Sequence, residues 1–205
     1  EWRRRRGELI RDADTIVFVL SPSSARSEVC AWEVEETARL GKRIIPVLCR
    51  SLDGASPPRQ LEDLNYIFFY PEPRSPGSGF GSGLIRLIAA LNEDPAWLRE
   101  HTRLLGLASH WEAAGRPIGR LLFGDDIVHA KVWLTERHKS KTEPTALHIE
   151  FIRASEEEGN ARLAAERERL ADMATAQEDR ATATRTMARR ACRPARAVAH
   201  DRSVA

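Results

Sequence analysis

The residues with the most chemical content lie in one helix-forming stretch, from Ser27 to Gly41. At about 100° per residue, Cys30, Val34, Thr37, Ala38 and Leu40 fall on one arc, the side that should face a sheet, and Glu33 falls inside that arc. Glu35 and Glu36 project elsewhere and can be solvated. The pattern therefore predicts that Glu33 is carried towards the strand ends near the start of its helix. There the positive end of the helix dipole favours a charged carboxylate and partial burial opposes it. A carboxylate held in such a half-dry site stabilises developing positive charge. The plainer alternative is a rim residue whose stem packs while its head meets water or an arginine.

Other candidate constellations are weaker. Gly77-Ser-Gly-Phe-Gly-Ser-Gly83 precedes a helix, but it matches neither GxGxxG nor the P-loop, which ends in Lys-Ser/Thr, and reads as a flexible connector. The six histidines are scattered, with neither HExxH nor paired helical spacing, so no metal site is expected. Cys30, Cys49 and Cys192 are odd in number and lack CxxC spacing, which predicts idle or buried thiols. Arg3 to Arg6, with Arg189, Arg190, Arg193 and Arg196, could meet phosphates. They lack interleaved aromatics and any DNA-binding motif, so they read as a solvated helix face and a basic tail, and no nucleic-acid partner is expected. Trp97, Trp111 and Trp133 sit at helical positions and are predicted to anchor helix contacts.

The elements that must position these residues alternate at first. Trp2, Leu9, Ile10 and Ala13 recur at helical spacing. Thr15 to Leu20 is a β-branched and aromatic run without alternation, which predicts a central parallel strand covered on both faces. Ser21-Pro-Ser-Ser24 supplies a turn and a hydroxyl cap for a helix of about fifteen residues stopping at Gly41. Ile44 to Cys49 forms a second strand, in which Pro46 points to a bulge or a place near the sheet edge. A helical turn is expected at Leu61 to Leu64, a third strand at Tyr66 to Tyr70, and a helix carrying Leu84, Ile85, Ile88 and Leu91. This order predicts a three-layer α/β sandwich with a mainly parallel sheet. From Pro95 onward only helical patterns remain. The expected divisions are residues 1–93, a helical linker region over 94–154, a charged helix over 155–188 and a disordered tail over 189–205.

Composition excludes several classes. The chain has 205 residues, 42% hydrophobic and 30% charged, which is globular and rules out collagen, mucin and wholesale disorder. Thirty-two basic against thirty acidic side chains leave +2, so no global field draws it to nucleic acid or anionic lipid. No apolar run approaches the roughly 20 residues of a membrane-spanning helix. The Arg-rich start lacks the apolar segment of a secretory signal, and a cytoplasmic address is expected.

The run Ala13-Asp14-Thr-Ile-Val-Phe-Val-Leu-Ser21-Pro22-Ser-Ser24-Ala-Arg-Ser27-Glu-Val-Cys30-Ala-Trp-Glu33-Val, followed by Gly41-Lys-Arg-Ile-Ile-Pro-Val-Leu48, resembles the middle of a bacterial Toll/interleukin-1 receptor (TIR) domain. That family combines a strand ending in Ser-Pro, a helix with Ser-x-x-Cys-x-x-Glu and a strand reading Ile-Pro-Val. The resemblance implies a flavodoxin-like sandwich and a signalling or defence role. It also implies cleavage of NAD+ between nicotinamide and ribose, with NAD+ as substrate and no further cofactor. Glu33 would be the catalytic carboxylate, holding the ribose hydroxyls and stabilising an oxocarbenium-like centre, with Ser27 and Cys30 lining the substrate side of the same helix. Self-association with other TIR domains is also implied. Val29 stands where the family often has Trp, and Trp32 follows two residues after the Cys. The family's first two strands and its nucleotide-covering loop would precede residue 1, so the chain reads as truncated and the sheet as incomplete at its N-terminus, with turnover by this stretch alone not expected. Trp97-Leu-Arg-Glu-His, Trp111-Glu-Ala-Ala-Gly, Val132-Trp133-Leu and Phe151-Ile-Arg are similar to the helical linker of such proteins. The rival class is a non-catalytic interaction or adaptor module.

Overall fold

Three strands run parallel in sequential order, and β2 lies between its neighbours. The computed structural model describes residues 2–136 and 142–191 of the chain, without side chains for 189–191. Strand β1 (Thr15–Leu20) pairs with β2 (Arg43–Leu48) in register from Thr15 opposite Arg43 to Leu20 opposite Leu48. Strand β3 (Ile67–Phe68) meets only Val47 and Leu48, far shorter than the predicted run from Tyr66 to Tyr70. The helices are α1 (Trp2–Asp12), α2 (Pro22–Ala25), α3 (Glu28–Arg39), α4 (Phe80–Leu91), α5 (Pro95–Ala113), α6 (Asp125–Thr135) and α7 (Ala146–Ala191). The architecture is an open parallel α/β sheet followed by an all-helical region, as the order of patterns predicts.

Backbone chemistry explains two local departures. Ser21 caps only the single turn of α2, where its hydroxyl accepts from Ser24 N while Ser24 Oγ accepts from Ser21 N. Ser27 then starts α3 separately, its hydroxyl accepting from Cys30 N at 3.4 Å. The turn expected at Ser21 to Ser24 closes as the short helix α2, and the helix expected to end at Gly41 is α3, capped by Ser27 rather than by the first serines. Gly41 (φ +61°) ends α3 in the left-handed conformation, as expected. Pro46 sits without penalty in the central strand. Leu48 O accepts from Phe69 N on one side and Cys49 N donates to Leu20 O on the other, so Pro46 directs its missing donor towards a stretch where β3 has not begun.

The two faces of the sheet are covered unequally. Helix α3 closes one, packing Val34 and Cys30 with Phe18, Leu20, Leu48 and Leu61. Helix α4 covers the other only over β2 and β3, with Leu87 and Ala90 against Ile45, Val47 and Ile67. Val17 and Val19, on that same face of β1, remain 38% and 54% exposed. This corrects the expectation of a central strand covered on both faces: among the described residues β1 is the outer strand, paired on one side. Glycine allows the approach of α4, since a Cβ at Gly83 would lie 2.6 Å from Phe68 O.

The helices form their own core from Leu98, Leu104, Ala108, Trp111, Leu121, Leu122, Ala130, Phe151 and Ile152. Trp97 and Trp133 stack with centroids 4.9 Å apart, and each indole N–H donates to the other's carbonyl, which makes them helix anchors as predicted. The described residues up to 158 form one compact body and those from 159 onward a second. Every described side chain from 160 to 188 is exposed. The predicted tail falls largely outside the described residues, as do Cys192 and His138. No helix among the described residues is long and apolar enough to cross a membrane.

Candidate functional site

Helix α3 splits its candidate residues between two surroundings. Cys30 faces the sheet and joins the core around Val34. Ser27 is occupied as the helix cap. Glu33 leaves the sheet-facing arc and meets α1, where its carboxylate accepts from the guanidinium of Arg6. Its side chain is 26% exposed and that of Arg6 48%. This is the plainer alternative of the two, a rim residue whose head meets an arginine. Glu33 also anchors the helix through its backbone, accepting from Thr37 Oγ1 at 2.6 Å.

Aromatic and cationic groups surround this ion pair. Trp2 and Trp32 meet edge to face at 5.6 Å. The Arg3 guanidinium lies 5.4 Å from the Trp2 ring and 6.0 Å from Trp32, and Arg6 lies 5.4 Å from Trp2. The arginine run, expected to lack interleaved aromatics, thus lies against two tryptophans. Trp2 and Arg6 are separated by one helical turn, a spacing that signals the pairing; Trp32 is added only by tertiary packing.

At the carboxyl ends of the strands, Tyr70 donates to the Glu72 carboxylate; burial and this bond push the phenol up to about 12. Two cavities lie elsewhere. One of about 880 Å³ opens beside Arg43 to Pro46, where β2 lacks a β3 partner. The other, of about 470 Å³, lies among α1, α3, α5 and the start of α7. Ser27, Cys30 and Glu33 line neither. Beside the first turn after α3, Lys42 is buried and donates to Thr102 Oγ1 at 2.8 Å; burial lowers its ammonium to about 8. No group of three or more His, Cys, Asp or Glu among the described residues stands ready to hold a metal.

A family model described as TIR domain matches residues 1–82, from α1 to the start of α4. No curated protein and no solved structure matches the chain. The match covers the open sheet, α3 and Glu33, and leaves α5, α6 and α7 outside it.

Proposed function

We propose that this chain is a TIR-type signalling module that works by associating with other TIR domains, in the bacterial cytoplasm and in a signalling or defence role. The observation that carries the reading is the exposed apolar face of α4, where Leu84, Ile85, Ile88 and Leu91 are open to solvent. Clustered exposed apolar side chains are surfaces that recruit another chain. The TIR-domain match supports the nature of that partner. Sedimentation velocity from about 1 to about 100 μM, spanning the weak end of interface affinities, tests it: mass rising with concentration is expected, abolished in Ile88→Lys. A monomer throughout would overturn the reading.

A second reading, NAD+ cleavage by Glu33, is favoured by the half-buried carboxylate on α3 and by the Ser27, Cys30, Glu33 spacing. In that reading Glu33 exchanges the Arg6 guanidinium for the ribose hydroxyls and then faces the oxocarbenium-like centre as nicotinamide departs. The nicotinamide of NAD+ already bears positive charge, so orientation matters more than acid catalysis. Nicotinamide release measured by chromatography decides it: release by the wild type that disappears in Glu33→Ala supports the reading, and release unaffected by that substitution removes it.

A further inference from the structure

The cavity of about 880 Å³ sits at the edge of the sheet, in its plane. Its walls come from both faces: Ala38 of α3 and the following Gly41 on one side, Arg86 and Ala90 of α4 on the other. Between them runs the stretch of β2 from Arg43 to Pro46, which β3 does not reach, because the ladder between these strands begins only at Val47 opposite Ile67. Pro46 explains the stop. It has no N–H to give to a further residue of β3, so continuing the ladder past it would leave a carbonyl without a donor. The volume lies within the range of small-ligand pockets.

One residue of this edge is left open. Successive residues of a parallel strand turn their peptide groups to opposite neighbours. Cys49 N donates to Leu20 O and Leu48 O accepts from Phe69 N, so the odd-numbered residues of β2 serve β1 and the even-numbered ones turn towards β3. Ile44 therefore directs its N–H and C=O together into the cavity, where β3 brings neither an acceptor nor a donor. Lys42, two residues earlier, is already engaged, its N–H donating to Thr37 O at 3.0 Å. An added strand would gain one residue's pair of hydrogen bonds and then meet Pro46, too little for capture of a peptide by strand addition. Nor is this edge built for an anion. Arg43 is occupied, donating from Nε to Thr15 Oγ1 at 3.1 Å and from Nη1 to Glu93 O at 2.9 Å.

We propose that this cavity binds a planar cyclic amide, the lactam edge of a nucleobase-like ring, which lies in the plane of the sheet and takes the place of the missing residue of β3. A trans peptide holds its N–H and C=O on opposite sides, whereas a ring amide holds them on the same side. The ring can therefore accept from Ile44 N–H and donate to Ile44 O at once. Ala38 and Ala90, short side chains on the two faces, leave the slot open for a flat group. This site shares no residue with Ser27, Cys30 and Glu33 and does not depend on self-association through α4.

Titration of the isotope-labelled full chain with uridine, read on its amide N–H spectrum, tests the proposal. The Ile44 amide resonance is expected to shift and to saturate with one uridine per chain. The uridine analogue methylated on the lactam nitrogen keeps the ring and loses the N–H. It should bind at least about tenfold more weakly, because Ile44 O is then left unpaired. Ala38→Phe, at an exposed position of the wall, should fill the slot and abolish the shift while the resonances of the helical core stay in place. The comparison of the two nucleosides uses the wild type alone, so the test does not depend on that variant's folding. No saturable shift at Ile44 up to about 10 mM uridine, a range that covers Kd values of about 1 mM, would overturn the proposal. Equal affinity for the two nucleosides, or unchanged uridine binding by folded Ala38→Phe, would do so as well.

Discussion

At the scale of single residues, two buried or half-buried ionisable groups make opposite predictions. His148 is fully enclosed: its Nδ1 accepts from Thr145 N at 3.1 Å, which leaves Nε2–H to donate to His101 O at 2.9 Å. Both ring nitrogens are used by the neutral tautomer, and burial lowers the imidazole from 6.5 to about 4. The folded chain thus resists a proton that the unfolded chain accepts, so this contribution is full above about pH 6.5 and is lost as the pH falls towards 4. The drop corresponds to about 3 kcal/mol. Urea unfolding followed from pH 7 to 4.5 should show stability falling, and His148→Gln should flatten that slope. Glu33 is different. Its ion pair with Arg6 is open to water on both sides, and such pairs contribute about 0–1 kcal/mol. Arg6→Ala and Glu33→Gln should therefore each cost less than about 1 kcal/mol in urea unfolding. A larger loss would mean that the pair is a structural keystone.

At the scale of elements, the helix–sheet contact is decided by a glycine. A Cβ at Gly83 would stand 2.6 Å from Phe68 O and 2.8 Å from the Phe69 ring, so Gly83→Ala must lift α4 from β3. Better helix propensity returns about 1 kcal/mol, whereas overpacking of this kind costs about 1–3 kcal/mol, and the net expectation is destabilisation. Gly106, inside α5, has nothing within 4 Å of its added Cβ. Gly106→Ala should therefore stabilise by about 0.5–1 kcal/mol. Thermal unfolding of the two variants should move the midpoint in opposite directions. These elements were legible in the sequence to different depths. The strands at Thr15 and Ile44 and the helix carrying Leu84 follow from apolar patterning, which is local. The exposed face of β1 does not follow from its uninterrupted apolar run, which looks the same whether a helix covers it or not; it follows only from the resemblance, by which the sheet is incomplete at its N-terminus. The turn at Ser21 to Ser24 was legible in its proline and serines, whereas the choice of Ser27 as the cap of α3 was not, because several neighbouring hydroxyls could serve. Glu33 could be placed on its wheel, but Arg6 lies 27 residues away and only the packing of α1 against α3 brings it there.

At the scale of the whole molecule, α7 joins two regimes of stability in one element. Its first turns are fixed by tertiary packing: Phe151 and Ile152 are buried in the helical core, and Ser155 Oγ accepts from Leu122 N while donating to Phe151 O. From residue 160 to 188 every side chain is exposed, and Leu163, Leu170 and Met173 bury nothing among the described residues. Thr175, Thr184 and Thr186 turn their hydroxyls back onto the helix's own carbonyls, contacts that slightly weaken a helix interior. Without a buried face, such a segment rests on propensity alone, and helices without tertiary support are marginal in water. Amide protection should therefore split within a single continuous helix. Hydrogen exchange on the full chain, read by mass spectrometry, is expected to show slow exchange for peptides over 150–156, close to that of the helical core. Peptides over 165–185 should exchange at least about a hundredfold faster, the difference between near-global opening and local fraying. Equal protection across both segments would require a partner surface for the distal half, and would identify it as a site of association in its own right.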